Sequence, residues 1–363
     1  MSKKSVWTLI GALAIVSLLI VGCAPQSAGT GGEGGAVPAA TSMEVFEWVG
    51  QSHAGGITQQ HHSLQRVGEQ IEAASGGRLK MVVEVGGGIA PASKEFDAVD
   101  SGVLDFAVTC FMYWMDKFPT AGMFTMVSGG MSPMEAMIWF REGGGSDLAD
   151  EMVTGYNVQV LRDGGWMGPP EVFLQTNKDL QKAGDLSGLK IRGAGDGAEI
   201  LSLLGAGMVM MPAGEIFESM TRGTIDAFEC ASPTLNWDLG LNEVGDYLWL
   251  SGARQPYEYN PFIVNKDRWA ELPDDLKAIV SEVNQAETIR AYSELIRLDL
   301  EALDNFRDYG TDVRRLPAAL EEEYSAAAKG FYEDKAADDP FAAEVLASYF
   351  GFQEQFEGTW AKP

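Results

Sequence analysis

Three kinds of residue are scarce in this chain, and each scarcity excludes something. There are only three cysteines, too few for a disulfide framework or a cysteine-built zinc site. The three histidines, His53, His61 and His62, fit solvated positions on a polar helix face better than a metal cluster, and no Ser/His/Asp arrangement stands out for nucleophilic catalysis. Lysine and arginine number 26 against 52 aspartates and glutamates, a formal net charge of −26. So negative a chain repels nucleic acid and anionic lipid surfaces. Long apolar runs are also missing except for residues 6–21, which are too short to span a membrane comfortably and lack a basic stop-transfer flank.

What is present begins with an address. Lys3 and Lys4 precede the apolar run, and small residues close it at Gly22-Cys23, the layout of a secretory signal. The ending Leu19-Ile20-Val21-Gly22-Cys23 resembles the bacterial lipobox, with Ile20 where leucine is commoner. Lipidation of Cys23 is therefore expected; the alternative is a plain cleaved signal with a chance cysteine. Residues 24–42 are rich in Gly, Ala, Ser and Pro, a composition that buries no core and acts as a flexible tether. A lipid-anchored cysteine followed by such a tether holds the folded body just off a membrane. From Met43 on, the chain is long enough for two domains or one large one, and its 46% hydrophobic content supports a sizeable core. Cys110 and Cys230 are expected as free, buried thiols, since nothing in their spacing requires a bridge.

The pattern along the body repeats itself. An apolar strand, a helix and a second strand lead to Phe96-Asp97-Ala98-Val99-Asp100-Ser101-Gly102-Val103-Leu104-Asp105. Further on, Phe217 to Asp226 repeats the order: Phe, a glycine at the helix end (Gly223), then Ile-Asp entering a strand. Glycine past a helix fits a left-handed cap. Two such units in matched order predict two similar α/β lobes. Residues 274–310 carry apolar residues at helical spacing without a break, long for a globular helix, so this helix is expected to cover both lobes.

The working end is expected in residues 186–230. A short strand there ends on Arg192, a glycine-rich turn and helix follow, and a later strand delivers Glu229 and Cys230. In open α/β sheets ligands collect at the carboxyl ends of strands. A guanidinium offers a planar fork suited to a carboxylate; it serves equally well in a salt bridge inside the lobe. The run Gly193-Ala194-Gly195-Asp196-Gly197-Ala198, with Glu215 some twenty residues on, is also compatible with a dinucleotide fingerprint and a secreted NAD-binding oxidoreductase. It lies outside the first βαβ unit, which counts against that reading.

Several motifs in fixed order carry a resemblance: residues 96–105 with Tyr113, residues 140–150 with a triple glycine, Asp185-Leu186-Ser187-Gly188-Leu189-Lys190-Ile191-Arg192, residues 223–229, and Val264-Asn265-Lys266-Asp267-Arg268-Trp269. Nearly the whole body resembles the extracytoplasmic solute receptors of TRAP transporters, the dicarboxylate-receptor-like (DctP) family, and within it the 2-oxo acid and lactate branch. The resemblance implies a two-lobed periplasmic-binding-protein-like α/β fold with hinge strands and a long helix spanning both lobes. The division it suggests is signal peptide 1–23, tether 24–42, lobe I in 43–163 with about 255–275, lobe II in 164–254, spanning helix 274–310, and packing helices 311–363.

It implies, further, a binding protein without chemistry of its own, which captures a small organic carboxylate and hands it to TRAP permease subunits in the membrane. Arg192 would clamp the carboxylate. Glu229, the carbonyl of Cys230 and Gln255 would form an oxygen-donor site for a hard cation such as Na⁺ or Ca²⁺ bridging the ligand. Cys230 stands where the branch often has tryptophan, and Gln255 where it has a carboxylate; Glu258 is a nearby acid that could compensate. A neutral polar pocket with no metal stays open as the competing reading. Trp166 and Tyr113 are expected as pocket walls and Glu171 as a polar substrate contact. A lipid-anchored binding module for a different organic anion is the remaining alternative.

Overall fold

The computed structural model describes residues 44–211 and 213–359; the apolar run, the tether and Cys23 lie outside them. In chain order, β1 (Phe46–Ser52), α1 (Gln59–Ala74), β2 (Leu79–Glu84), α2 (Glu95–Asp100) and β3 (Phe106–Val108) come first. The helices α3 (Gly122–Thr125), α4 (Pro133–Glu142) and α5 (Gly145–Met152) lead into β4 (Val158–Gly168). Next follow β5 (Leu174–Thr176), β6 (Lys190–Arg192), α6 (Gly195–Leu203), β7 (Gly207–Val209), α7 (Ile216–Thr221), β8 (Ala227–Phe228), α8 (Pro233–Asp238) and β9 (Tyr247–Leu250). The chain ends with β10 (Glu258–Asn265), α9 (Lys266–Glu271), α10 (Asp274–Tyr309), β11 (Asp312–Arg315), α11 (Ala318–Asp338) and α12 (Pro340–Thr359).

Two sheets result, ordered β2-β1-β3-β10-β4 and β11-β9-β5-β8-β6-β7. Each sheet has a parallel trio at one end. β1 lies between β2 and β3, and β6 between β7 and β8, all parallel. The helices connecting these strands make βαβ units, which bury both faces of a parallel sheet. An antiparallel strand then lies beside the third member of each trio, β10 beside β3 and β5 beside β8.

The repeated sequence motif does the same job in both sheets. Gly102 and Gly223 follow α2 and α7 with φ of 72° and 66°, the left-handed conformation that only glycine adopts without strain. Three residues later the aspartate turns back. Asp105 Oδ2 accepts from the Val49 amide at 2.8 Å, and Asp226 Oδ2 accepts from the Lys190 amide at 2.9 Å. Each aspartate amide also donates to the carbonyl of that same residue, at 2.8 Å and 2.7 Å. The motif thus pins the third strand of each trio onto the first.

Helix α10 is 36 residues long, which at 1.5 Å per residue is about 54 Å. Asp274 and Asp275 sit in its first turn, and Gly310 (φ 112°) stops it by donating its amide to the Phe306 and Arg307 carbonyls, satisfying groups a helix end otherwise leaves open. It packs on α1 and β4 of the first lobe, then on α8 and β11 of the second. Glu287, almost fully buried, accepts from Ser63, Arg66 and Gln70 on α1; further along, Asp299 accepts from Thr234 on α8. α11 packs against α6, and α12 against α4 and α5. A continuous apolar cluster runs from Phe111 and Phe124 through Met167 and Phe173 to Ile191 and Leu201, joining the lobes. Among the described residues, no helix is long and apolar enough to cross a membrane.

Candidate functional site

Where the chain passes between the sheets, residues 169–173 and 251–257 run alongside one another, the Glu171 amide donating to the Gln255 carbonyl at 3.1 Å. Both segments deliver charged side chains to the carboxyl ends of β6 and β8. Parallel pairing continues one residue past β8, where the Glu229 amide donates to the Arg192 carbonyl at 2.9 Å. That register sets Arg192 and Glu229 side by side.

The Arg192 guanidinium is partly fixed. Its Nε donates to the Met211 carbonyl at 3.1 Å, and its Nη1 to the Glu229 carbonyl at 2.7 Å and to Glu229 Oε1 at 3.3 Å. Among the described residues no bond is made by Nη2, so one nitrogen of the guanidinium stays available while the other two are held in place. A pre-oriented guanidinium with a free N–H donor group is suited to one oxygen of a carboxylate.

Glu229 is buried and fully engaged. Oε1 also accepts from the Ala194 amide at 2.8 Å, and Oε2 pairs with Arg254 Nη1 at 2.8 Å. Arg254 was not legible in the sequence as a functional residue, yet it lies at the centre. Its side chain is only 1% exposed. Nη2 bonds Glu171 Oε2 at 2.6 Å and the Val172 carbonyl at 3.0 Å; Nε donates to the Phe173 carbonyl at 3.2 Å; Nη1 faces Gln255 Oε1 at 3.5 Å in addition to Glu229. Burial opposes its charge, but Glu229 and Glu171 outweigh that and hold the guanidinium firmly protonated. The result is a chain of alternating charges, Glu171–Arg254–Glu229–Arg192.

Glycine makes this packing feasible. A Cβ on Gly197 would stand 2.9 Å from Arg254 Cγ, so the arginine stem passes where no other residue would leave room. The glycine-rich run is therefore a close-packing turn. A dinucleotide pyrophosphate would need the amides at the start of α6, but the Glu229 carboxylate already accepts from Ala194 there, and Asp196 is buried in the first turn.

The remaining predicted residues fall on both sides. Glu171 is on the crossing segment; burial pushes its carboxyl up to about 7, Arg254 opposing and Glu229 and Glu258 adding to the rise. Gln255 lies next to Arg254, and the Cys230 carbonyl accepts from Asn236 Nδ2 at 2.8 Å. Cys230 and Cys110 are free and buried, and burial pushes each thiol up to about 12. Tyr113 is half exposed on the first lobe, edge-on to His53; burial, then Cys110, Glu258 and Glu95, raise its phenol. Glu258 adds to the rise at both Tyr113 and Glu171. The lobes also meet directly: a Cβ on Gly195 would come within 3.2 Å of Met112 Cε.

Trp166 sits deeper than a pocket wall requires, in a cluster with Leu161, Phe262 and Val280, and its indole N–H is buried with no partner among the described residues. His53 bonds the Val108 carbonyl and His61 bonds Ser52, so these two histidines serve the interior of the first lobe. Among the described residues no group of three or more His, Cys, Asp or Glu side chains is placed to hold a metal. The concavities between α4 and α10 and between α11 and α12 share no residue with the charge chain.

Known proteins resemble this chain over most of its length. A family model described as bacterial extracellular solute-binding protein, family 7, matches residues 51–339. A monocarboxylate 2-oxoacid-binding periplasmic protein of Nostoc is 26% identical over 301 residues, 80% of this chain and 79% of its own length. Among solved structures, a TRAP periplasmic solute-binding protein of Colwellia psychrerythraea, with bound calcium and pyruvate, is 26% identical with a TM-score of 0.77 over 87% of this chain and 96% of its own. One from Pseudoalteromonas atlantica, with bound sodium and pyruvate, is 25% identical with a TM-score of 0.77 over 87% and 96%.

Proposed function

Because the chain belongs to family 7 of the bacterial extracellular solute-binding proteins, and is thereby a TRAP-type receptor for small organic acids working outside the cytoplasm, we propose that its cargo is a 2-oxo or 2-hydroxy monocarboxylate held by Arg192. The observation that carries the assignment is the geometry of Arg192: a guanidinium fixed on two nitrogens to Met211 and Glu229, with Nη2 left over at the end of a parallel strand. The Nostoc relative and the two pyruvate-bound structures support the size and class of the ligand.

In this reading the protein performs no chemistry. Cargo enters between the lobes, Arg192 takes its carboxylate, and Tyr113 and Glu171 contact it as the lobes close. A ligand that touches both lobes only in the closed form shifts the population toward that form. The closed form then docks on the TRAP permease, and the lipid on Cys23 keeps the receptor beside it. A chain with a net charge of −26 repels anions at long range, so capture depends on this local positive group.

The test is calorimetric titration of pyruvate, lactate, longer 2-oxo acids and dicarboxylates into wild type and Arg192→Ala. The expected outcome is binding of a short monocarboxylate that weakens by about tenfold or more in the variant. Unchanged affinity in the variant would remove Arg192 from its role.

A further inference from the structure

The three oxygen donors that the family resemblance assigns to a metal ion each already face a donor of the protein itself. Glu229 Oε1 is bonded by the Ala194 amide and Arg192, and Oε2 is paired with Arg254. The Cys230 carbonyl accepts from Asn236, and the Gln255 amide oxygen is turned toward Arg254. Calcium takes six to eight oxygens, several of them charged. Here Glu229 is shared by two guanidiniums, Glu171, the second carboxylate at the site, is paired with Arg254, and an added cation would stand against Arg254 in a poorly solvated interior where like charges repel strongly. The donor set does not fit a metal.

We propose that the Arg254 guanidinium is the resident cation of this site, occupying the electrostatic role that calcium or sodium plays in the pyruvate-bound relatives, so that cargo capture is independent of metal ions. This inference rests on the reading of the chain as a carboxylate receptor. Five oxygens surround the three guanidinium nitrogens: those of Glu171, Val172, Phe173, Glu229 and Gln255. The planar fork directs its donors at fixed angles, so Arg254 locks Glu229, and Glu229 in turn orients Arg192 Nη1. Lysine could not reproduce that. Gly197, whose missing Cβ leaves room for the arginine stem, is part of the same construction. The departures at Cys230 and Gln255 fit this account: with a built-in positive charge, a second metal-binding carboxylate at 255 has no ion to hold.

The experiment uses the chain after exhaustive chelation, in sodium-free buffer with choline chloride fixing the ionic strength. Pyruvate is titrated before and after addition of Ca²⁺ or Na⁺, and Ca²⁺ alone is titrated into the ligand-free protein. The expected result is a pyruvate Kd that agrees within about twofold across all conditions, and no saturable uptake of Ca²⁺. A second expectation concerns Arg254→Gln, which leaves Glu171 and Glu229 without their cation: that variant gains a Ca²⁺-dependent rise in melting temperature that wild type lacks. The wild-type titrations decide the matter even where the variant fails to fold. If pyruvate binding falls by about tenfold or more on chelation and returns with Ca²⁺ or Na⁺, the inference is overturned while the receptor reading stands. If pyruvate binds under no condition, the ligand class is wrong, and the Ca²⁺ titration of ligand-free wild type still decides: saturable uptake abolished by Glu229→Gln overturns the inference, and absence of uptake upholds it.

Discussion

Glu95 opens α2 and is completely buried. Its Oε1 accepts from Gln51 Nε2 at 2.7 Å, while Oε2 is buried with no partner among the described residues. Burial therefore pushes the carboxyl up to about 8 from an ordinary 4.5, Gln51 and Thr109 opposing only in part. The sign of the consequence follows from proton counting. Between about pH 4.5 and 8 the folded chain holds a proton that the unfolded chain has released, so stability is greatest below that window and falls as pH rises through it. One pKa unit corresponds to about 1.4 kcal/mol, which puts an upper bound of about 5 kcal/mol on the loss; water reaching the ionised group in a relaxed structure brings this to on the order of 3 kcal/mol. Glu95→Gln keeps the shape and the acceptor for Gln51 but cannot ionise. Urea unfolding followed by tryptophan fluorescence, at pH 5 and pH 9, gives the stability difference between wild type and variant at each pH. Other buried acids titrate in both proteins, and the difference cancels them. That difference should swing by on the order of 3 kcal/mol in favour of the variant at the higher pH. A gap that stays constant to within about 0.5 kcal/mol would refute the reasoning.

Two more perturbations follow from the charge pairs. Glu287→Ala removes the acceptor that Ser63, Arg66 and Gln70 share; since Arg66 is partly exposed and can return to water, the loss should be about 2–3 kcal/mol in urea unfolding. Glu171, raised to about 7, takes up its proton as pH falls from 8 to 6 and removes a negative charge facing Arg254, Glu229 and Glu258. Pyruvate affinity measured calorimetrically should therefore strengthen several-fold at the lower pH, and Glu171→Gln should flatten that dependence.

The two-lobe architecture was legible because it is written in local signals: glycines ending helices, aspartates entering strands, and an unbroken helical period after Pro273. Arg192 and Glu229 were legible for a related reason. Each follows a short apolar strand, and strand ends are where such folds present side chains. Arg254 offered no such signal. It lies in Ser251-Gly252-Ala253-Arg254-Gln255-Pro256, a segment without periodicity, and its partner Glu171 is 83 residues away. Arginine is also seldom buried, so composition argues against its real position. Trp166 shows a different gap: a large aromatic beside glycines suits a pocket wall or a core, and only packing against Leu161 and Val280 places it in the interior. The glycine run before α6 was ambiguous because two causes select the same residues, close approach of a phosphate and close approach of an arginine stem. The Gly197–Arg254 proximity decides for the second.

The position of the charge chain bears on how binding is converted into closure. Glu171 lies on one crossing segment, Arg254 and Gln255 lie on the other, and Glu229 and Arg192 end strands of the second lobe. The charge chain thus lies within the second lobe, beside the segments on which the chain crosses between the sheets. A ligand shifts such an equilibrium only by the difference in its interactions with the two states, so a clamp on one lobe favours closure only where the other lobe reaches the same ligand, the part proposed for Tyr113. Arg254, through its bonds to Glu171 and to the Val172 and Phe173 carbonyls, keeps Glu229 and Arg192 in one arrangement on the second lobe. α10, resting on α1 in one lobe and on α8 in the other, limits the directions that closure can take. In the proposed receptor cycle, a fixed Arg192 on the second lobe and a first lobe that reaches the ligand only on closure are what would let a permease distinguish loaded from empty.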